Sequence, residues 1–397
     1  MSTWLRILIA QALTVPALVL AEDGPPQDIA RELEAEQRGS GDWLYPLFDD
    51  WDRARTRFQE KSQLNWSASY HSVLLGAALG NGFPTGASGD FTLQGVWTPT
   101  GYWVDNPTEI RFRMRDRHAY GGRAASELGP DLGAAWGLVD GFSNSGFEVP
   151  DFFLRHHFDE AGLELRYGQL SIDSQFGSHQ LASSKSFFLN QGFASNPAVA
   201  FPRFGAGFTA LKTFDNGFSV GLGSTTVQGT QTGDQVNLQL GSDDLFHALQ
   251  FAYDFKDSNE LPRRLQMLVW HSDAVNDANR PEGQGVSFTY EQQLDSAGTR
   301  YFIRGAWSDG GAAALDYLVA GGVVFPVNGD DLFGVAASVG RGSSGGQPIQ
   351  GILETFYRWQ PRRNFTVSPD LQLLVGEGLN GGPGVRLIGG LRLKLSF

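Results

Sequence analysis

Residues 384–397 read GVRLIGGLRLKLSF, and they decide the fold. Successive side chains of an extended strand alternate faces. Val385, Leu387, Leu391, Leu393, Leu395 and Phe397 then share one face, while Arg386, Arg392, Lys394 and Ser396 share the other. A strand that is greasy on one side and cationic on the other suits lipid outside and water inside, and a closing aromatic residue fits the last strand of an outer-membrane β-barrel. Phe397 is therefore expected to serve barrel assembly, because it ends the strand that removes the last open edge from lipid.

The opposite end of the chain agrees with export. Arg6 precedes an uncharged apolar stretch, residues 7–21, in which Val19 and Ala21 are the small residues before Glu22. This stretch is short for a spanning helix and is interrupted by Pro16. Residues 1–21 are therefore expected to be a signal peptide that directs the chain through the periplasm to the bacterial outer membrane. The absence of cysteine from 397 residues excludes disulfides and thiolate metal sites. Mean hydropathy is negative and no second long apolar run occurs, which argues against a helical membrane protein and leaves a barrel open. Fifty-one glycines, ten tryptophans, ten tyrosines and twenty-nine phenylalanines suit tight turns and aromatic girdles. A net charge of −13 gives no support to nucleic-acid binding.

Alternation along the chain predicts an all-β transmembrane antiparallel barrel of about sixteen strands, from residue 64 to residue 397. The connections at 159–162, 214–217, 256–263, 294–299, 325–331 and 360–363 read as turns. Those at 119–147, 173–205 and 228–245 are long and rich in Gly, Ser and Asn. Short periplasmic turns alternating with long outer loops place both barrel ends on the periplasmic side. Two connections fit less well, 99–108 being long for a turn and 309–313 short for an outer loop. Residues 132–147 leave room for a further hairpin, so eighteen strands compete with sixteen. Either count implies an aqueous channel. Residues 22–63 are expected to form a periplasmic extension with short helices, in which Trp51, Ala54 and Phe58 share one helical face. That face is either solvated or seated on the periplasmic mouth.

Five stretches occur in the order DWDRARTRFQEK, FRMRDRHAYGG, RYGQLSID, FASNPAVAFPRFGAG and ETFYRWQPRRNFTVSPDLQLL, before the closing GLRLKLSF. Together they resemble the carbohydrate-selective porins, OprB-type, of Gram-negative outer membranes. The resemblance runs from about Asp50 to Phe397, with two departures: Asp52-Arg53 stand where the family usually has Gly-Gly, and Leu373 stands where it has an aromatic. It implies a sixteen-stranded channel that passes mono- and small oligosaccharides down their gradient without covalent chemistry. Sugars, outer-membrane lipid and the barrel-assembly machinery are then the expected partners, with a monomer and a homotrimer both open.

Residues that would meet the solute follow from parity. Ile110, Phe112 and Met114 alternate with Arg111, Arg113, Arg115 and Arg117. An arginine facing mid-membrane lipid costs about 2–4 kcal/mol, so four would exceed what a fold margin of about 5–15 kcal/mol allows. The arginines are therefore expected to face the lumen. Parity also turns Glu164, Glu291, Glu354 and Asp370 inward, with Arg155, Arg166, Arg304, Arg358, Arg386 and Arg392. From this set Arg111, Arg113, Arg115, Arg117, Arg155, Glu164, Arg166, Glu354 and Arg358 are the candidate constriction residues. Interleaved donors and acceptors suit a neutral polyhydroxylated solute; the alternative is wall charges that merely pair with one another. Phe187, Phe188, Phe193 and Phe201, in the long 173–205 loop, either offer flat faces to sugar rings or pack the loop down.

Competing functions are an anion or acidic-solute porin using the same arginines and a barrel for polymer export. Catalysis finds no support: among His71, His118, His156, His157, His179, His247 and His271 there is no H-E-x-x-H, and no G-x-S-x-G or calcium loop occurs. His156 and His157 point to opposite faces of a strand and cannot share a metal without a bulge. Residues 328–331, NGDD, read as a turn. No metal site and no cofactor are expected.

Overall fold

The computed structural model describes residues 56–78, 82–99, 107–227, 233–238, 244–255, 261–275, 280–343, 345–382 and 384–397. The expected signal peptide, Trp51, Ala54 and most of the 99–108 connection lie outside these residues. Sixteen strands run in order: β1 Leu64–Ala78, β2 Thr85–Trp97, β3 Thr108–Ala119, β4 Gly146–Phe158, β5 Leu163–Leu170, β6 Gly205–Thr213, β7 Phe218–Thr226, β8 Leu245–Asp254, β9 Arg263–Ser272, β10 Gly283–Gln293, β11 Arg300–Asp309, β12 Leu315–Pro326, β13 Leu332–Gly342, β14 Ile349–Arg362, β15 Phe365–Val375 and β16 Val385–Ser396. Each pairs antiparallel with its sequence neighbours, and β16 pairs with β1 to close the barrel. Phe397 completes the seam: its backbone N–H donates to the Ala68 carbonyl at 2.8 Å, and the Ala68 N–H donates to the Phe397 carbonyl at 3.4 Å.

Burial follows the predicted parity and is inverted relative to a soluble fold. Leu387, Leu391, Leu393, Leu395 and Phe397 are exposed on the outside, whereas Arg386 and Arg392 are buried on the inside. On β3, Arg111 and Arg113 are buried while Ile110, Phe112 and Met114 are half-buried on the outer face. His156 and His157 point to opposite faces, His156 reaching Thr108 and His157 reaching Glu164.

The strand count is sixteen because residues 120–145 hold turns and a short helical segment but no strand. β2 begins at Thr85, five residues earlier than the alternation suggests, because TGASGD reads as a loop. Its glycines serve close approach instead: a Cβ on Gly89 would lie 2.3 Å from the Tyr70 hydroxyl, and one on Gly86 would lie 2.5 Å from the Ala124 carbonyl. The short 310–314 connection is a tight turn made possible by Gly310 and Gly311, at φ +92° and +80°.

Two long loops enter the barrel. Residues 120–145 and 171–204 pack against the inner faces of β1 and β11–β16 in one apolar cluster that includes Leu75, Leu128, Leu138, Phe188, Phe302 and Phe356. Phe188 is fully buried and meets Phe356 edge-on at 5.1 Å. Burying such a side chain contributes about 1.5–3 kcal/mol. A second cluster, with Ile172, Phe176, Phe246 and Trp270, fastens the start of the 171–204 loop to β8 and β9. Phe188 and Phe193 therefore pack the loop down, as do Phe187 and Phe201 at its margins. His179 joins them, stacked on Phe302 at 3.8 Å. Its Nδ1 accepts from the Leu181 N–H, which leaves Nε2 to donate to the Phe193 carbonyl. Burial, with Arg304 nearby, holds this imidazole well below its usual pKa and therefore neutral.

Residues 56–62 are helical and lead into β1. The Trp97 indole N–H donates to the Ser62 carbonyl at 3.1 Å, so the helix ends at the turn end of the barrel, with Phe58 exposed.

Candidate pore constriction

Whereas the loops pack by apolar contacts beside β1 and β11–β16, the inward face of β2–β5 is lined by charged and polar side chains. A bulge shapes this wall. Arg113 pairs with Asp151 and Arg115 with Glu148, so β4 carries extra residues, Val149 and Pro150, opposite Met114. In a regular strand positions 148 and 151 face opposite sides; the bulge turns both inward. Simple alternation from Arg155 turns Asp151 inward but would turn Glu148 outward, so only the bulge makes Glu148 a lumen residue.

The wall is layered along β3. Nearest the turn end, Arg111 binds Glu109 at 2.9 Å and Arg155 bridges Glu109 at 3.2 Å and Glu164 at 2.5 Å. Arg166 adds a 2.6 Å contact to Glu164. These charges satisfy one another, so the pairing alternative describes Arg111, Arg155, Glu164 and Arg166. In the next layer Arg113 donates to Gln94 at 3.2 Å and lies 3.7 Å from Asp151. Asp151 also accepts the Ser171 backbone N–H at 2.9 Å, tying the root of the inserted loop to this layer.

Higher still, the side chains are more open. Arg115 contacts Glu148 at 2.6 Å with 17% of its side chain accessible, and Arg117 contacts Asp90 at 2.8 Å with 16% accessible. Glu148 is shared with Arg203, and both guanidinium groups lie over the Phe204 ring, at 5.7 Å for Arg115 and 5.1 Å for Arg203. Lys185, from the middle of the inserted loop, crosses to Asp90 at 3.2 Å and Thr92 at 2.7 Å. Gly141, at φ +76°, passes so close to Arg117 that a Cβ there would lie 2.8 Å from Nη2.

Two loop carboxylates face this layer. Asp140 has its pKa raised by burial, opposed by Arg117 and Arg115. Asp173 is pushed up to about 6 by burial, with Asp140 and Asp151 adding to the rise. Glu148, Asp151, Asp140, Asp173, Lys185 and Arg203 were not among the sequence candidates. Glu148 depends on the bulge, Asp151 shares the inward parity of Arg155, and the others lie on loops whose path carries no periodic signal.

Glu354 and Arg358 lie elsewhere. Glu354 is on the packed side, where its carboxylate accepts the Leu189 and Asn190 backbone N–H groups at 2.5 and 2.9 Å. Arg358 donates to the Asp330 carbonyl at 3.3 Å, at the β12–β13 turn. Neither joins Arg115 and Arg117. Arg304 donates to the carbonyls of Gly177 and Ser195, and Arg392 donates to those of Ser184 and Phe187. Glu291 accepts the Gln180 N–H at 2.6 Å, and Arg386 donates to the Gly376 carbonyl at 2.7 Å.

A closed sixteen-stranded barrel, apolar outside, charged inside and narrowed by an inserted loop, is the architecture of an outer-membrane porin, a channel class. The family model described as carbohydrate-selective porin, OprB family, matches residues 108–397, and the chain belongs to that family. As an OprB-type barrel it is a protein of the Gram-negative outer membrane. Its structure is similar to the high-pH structure of Pseudomonas putida OprB, with TM-score 0.72 and 16% identity over 88% of this chain and 97% of that one. The low-pH structure of the same protein superposes at TM-score 0.58, with 14% identity over the same shares. An anion-selective porin from Comamonas acidovorans matches at TM-score 0.50 and 13% identity, over 84% of this chain and 98% of that one. No curated protein sequence matches the chain.

Proposed function

We propose that this porin is a channel for passive, substrate-preferring diffusion of mono- and small oligosaccharides into the periplasm, with solute selected between Arg115, Arg117 and the two inserted loops. The observation that carries this reading is charge pairing at the accessible layer. Arg115 and Arg117 each have a carboxylate partner, Glu148 and Asp90, and Asp140 and Asp173 stand opposite. A wall of paired charges offers hydrogen-bond donors and acceptors at short range but little net field. That favours hydroxyl-rich neutral solutes over simple ions. Phe204 adds an apolar face beside the two guanidinium groups, suited to the C–H side of a sugar ring.

An anion porin would use the same arginines without such compensation. Polymer export is disfavoured by a lumen occupied by two packed loops. Lipid, the barrel-assembly machinery and either a monomer or a homotrimer complete the proposal, with the signal peptide removed on export. Single-channel conductance in planar bilayers, titrated with neutral sugars and measured across a salt gradient, tests it. Concentration-dependent block by sugars with weak ion selectivity is expected. Strong anion selectivity without sugar block would refute it.

A further inference from the structure

We infer that Arg304, Arg392 and Glu354 are positioning residues of the channel: from β11, β16 and β14, outside the layer of Arg115 and Arg117, they hold the inserted loop at the distance that sets the pore width. This rests on the reading of the barrel as a diffusion channel and adds what fixes its aperture. The argument begins with the backbone. Residues 177–190 form turns without helix or strand, so most of their N–H and C=O groups have no partner in a regular ladder. Buried backbone groups without partners are costly, and something in the lumen has to satisfy them.

Polar wall residues do so. Arg392 donates to the Ser184 and Phe187 carbonyls at 2.5 and 2.6 Å, on either side of Lys185. Glu354 accepts two N–H groups a little further on, of Leu189 and Asn190. Arg304 ties Gly177 near the loop's root to Ser195 on its return, both through carbonyls. Lys185 lies between these anchors and reaches across to Asp90, the partner of Arg117. The anchors therefore position a residue of the constriction without touching the accessible layer themselves. Charge-assisted hydrogen bonds from each arginine to two carbonyls at once define a geometry rather than a mere contact. They hold a segment that packing alone would leave free to slide.

The test uses the full-length protein in planar bilayers, with Arg304→Met and Arg392→Met combined, so that stem volume is kept and the donors are lost. Heat-modifiable gel migration verifies that the barrel closes. The expected result is loss of the single steady conductance level, replaced by open-channel noise and a higher mean current, with Arg392→Lys alone intermediate because it keeps a charged donor. A second variant separates positioning from general damage. An ideal Cβ on Gly192 would lie 3.4 Å from the Ser338 hydroxyl oxygen, so cysteines at the two positions bring their sulfurs close together. Adding Gly192→Cys and Ser338→Cys should restore the quiet level when oxidised and lose it on reduction. A folded double-Met barrel with wild-type conductance and noise would overturn the inference, as would noise that the disulfide leaves unchanged. Both readouts are ionic currents, so they stand apart from sugar block, whose absence in the wild-type channel would instead overturn the proposed function.

Discussion

Arg115→Ala probes the constriction most directly. Arg115 is accessible to solute, and its loss removes one positive charge, one forked donor and the volume over Phe204. Removing one partner of a buried ion pair ordinarily costs about 3–5 kcal/mol, because the other charge is left alone. Here Glu148 keeps Arg203, so the barrel is expected to fold. A hydrogen bond to a charged group contributes about 1.5–3 kcal/mol, and each 1.4 kcal/mol is about tenfold in affinity. In a wet lumen the lower end applies, so sugar block should weaken by roughly tenfold. Conductance should rise and selectivity shift towards cations. The assay is sugar titration of single-channel current, with the reversal potential read in the same bilayer. Arg111→Ala is the internal control, since Arg111 is 2% accessible and engaged by Glu109. Equal effects at the two positions, or unchanged block in a folded Arg115→Ala barrel, would refute the layered reading of β3.

Other outcomes follow from the same geometry. Asp173, with a pKa raised to about 6, is ionised above that pH and neutral below it, so acidification should leave the constriction more positive. Reversal potentials between pH 7.5 and pH 5 should move towards anion selectivity in the wild type and move less in Asp173→Asn; a pH-independent potential would count against the placement of Asp173. Gly207→Ala places a Cβ 2.5 Å from the Ser224 carbonyl and 2.3 Å from Thr225 Cγ2. It should destabilise the barrel by about 1–3 kcal/mol, seen as a lower denaturant midpoint for loss of heat-modifiable migration. Deleting Phe397 removes its two backbone hydrogen bonds to Ala68 and should cut the folded outer-membrane yield; undiminished yield would show the seam to be indifferent to it.

The barrel was legible because each strand has only two faces and lipid punishes error. Arg386 and Arg392 cannot share a face with Leu387 and Leu391, and the same constraint repeats along β3. Legibility stopped where that constraint lapses. Pro150 marks a place where a ladder bond is missing, yet only the register with β3 shows the resulting bulge and turns Glu148 inward. Gly86 and Gly89 look like loop residues until the crowding above them is seen. Parity placed Glu354 inside correctly but could not say that loop backbone, rather than solute, would take its carboxylate. Facing inward is a property of a strand; being free for solute depends on where 34 residues of loop, 171–204, settle.

That division explains how one barrel holds so many inward charges while exposing few. Near the turn end, Arg111, Glu109, Arg155, Glu164 and Arg166 neutralise one another in a chain of contacts. On the packed side, Arg304, Arg392 and Glu354 are consumed by loop backbone. Among these three groups the layer of Arg115 and Arg117 keeps both pairing and access, and there the inserted loop contributes Lys185 to the same carboxylate, Asp90, that Arg117 uses. A solute displacing water from this layer meets donors already oriented by their ion-pair partners. Reorganisation at the moment of contact is small, while the paired charges leave little long-range field to draw in salt. Weak ion selectivity and hydroxyl recognition are thus consequences of one arrangement, and a substitution that unpairs Asp90, such as Arg117→Ala, should disturb both together.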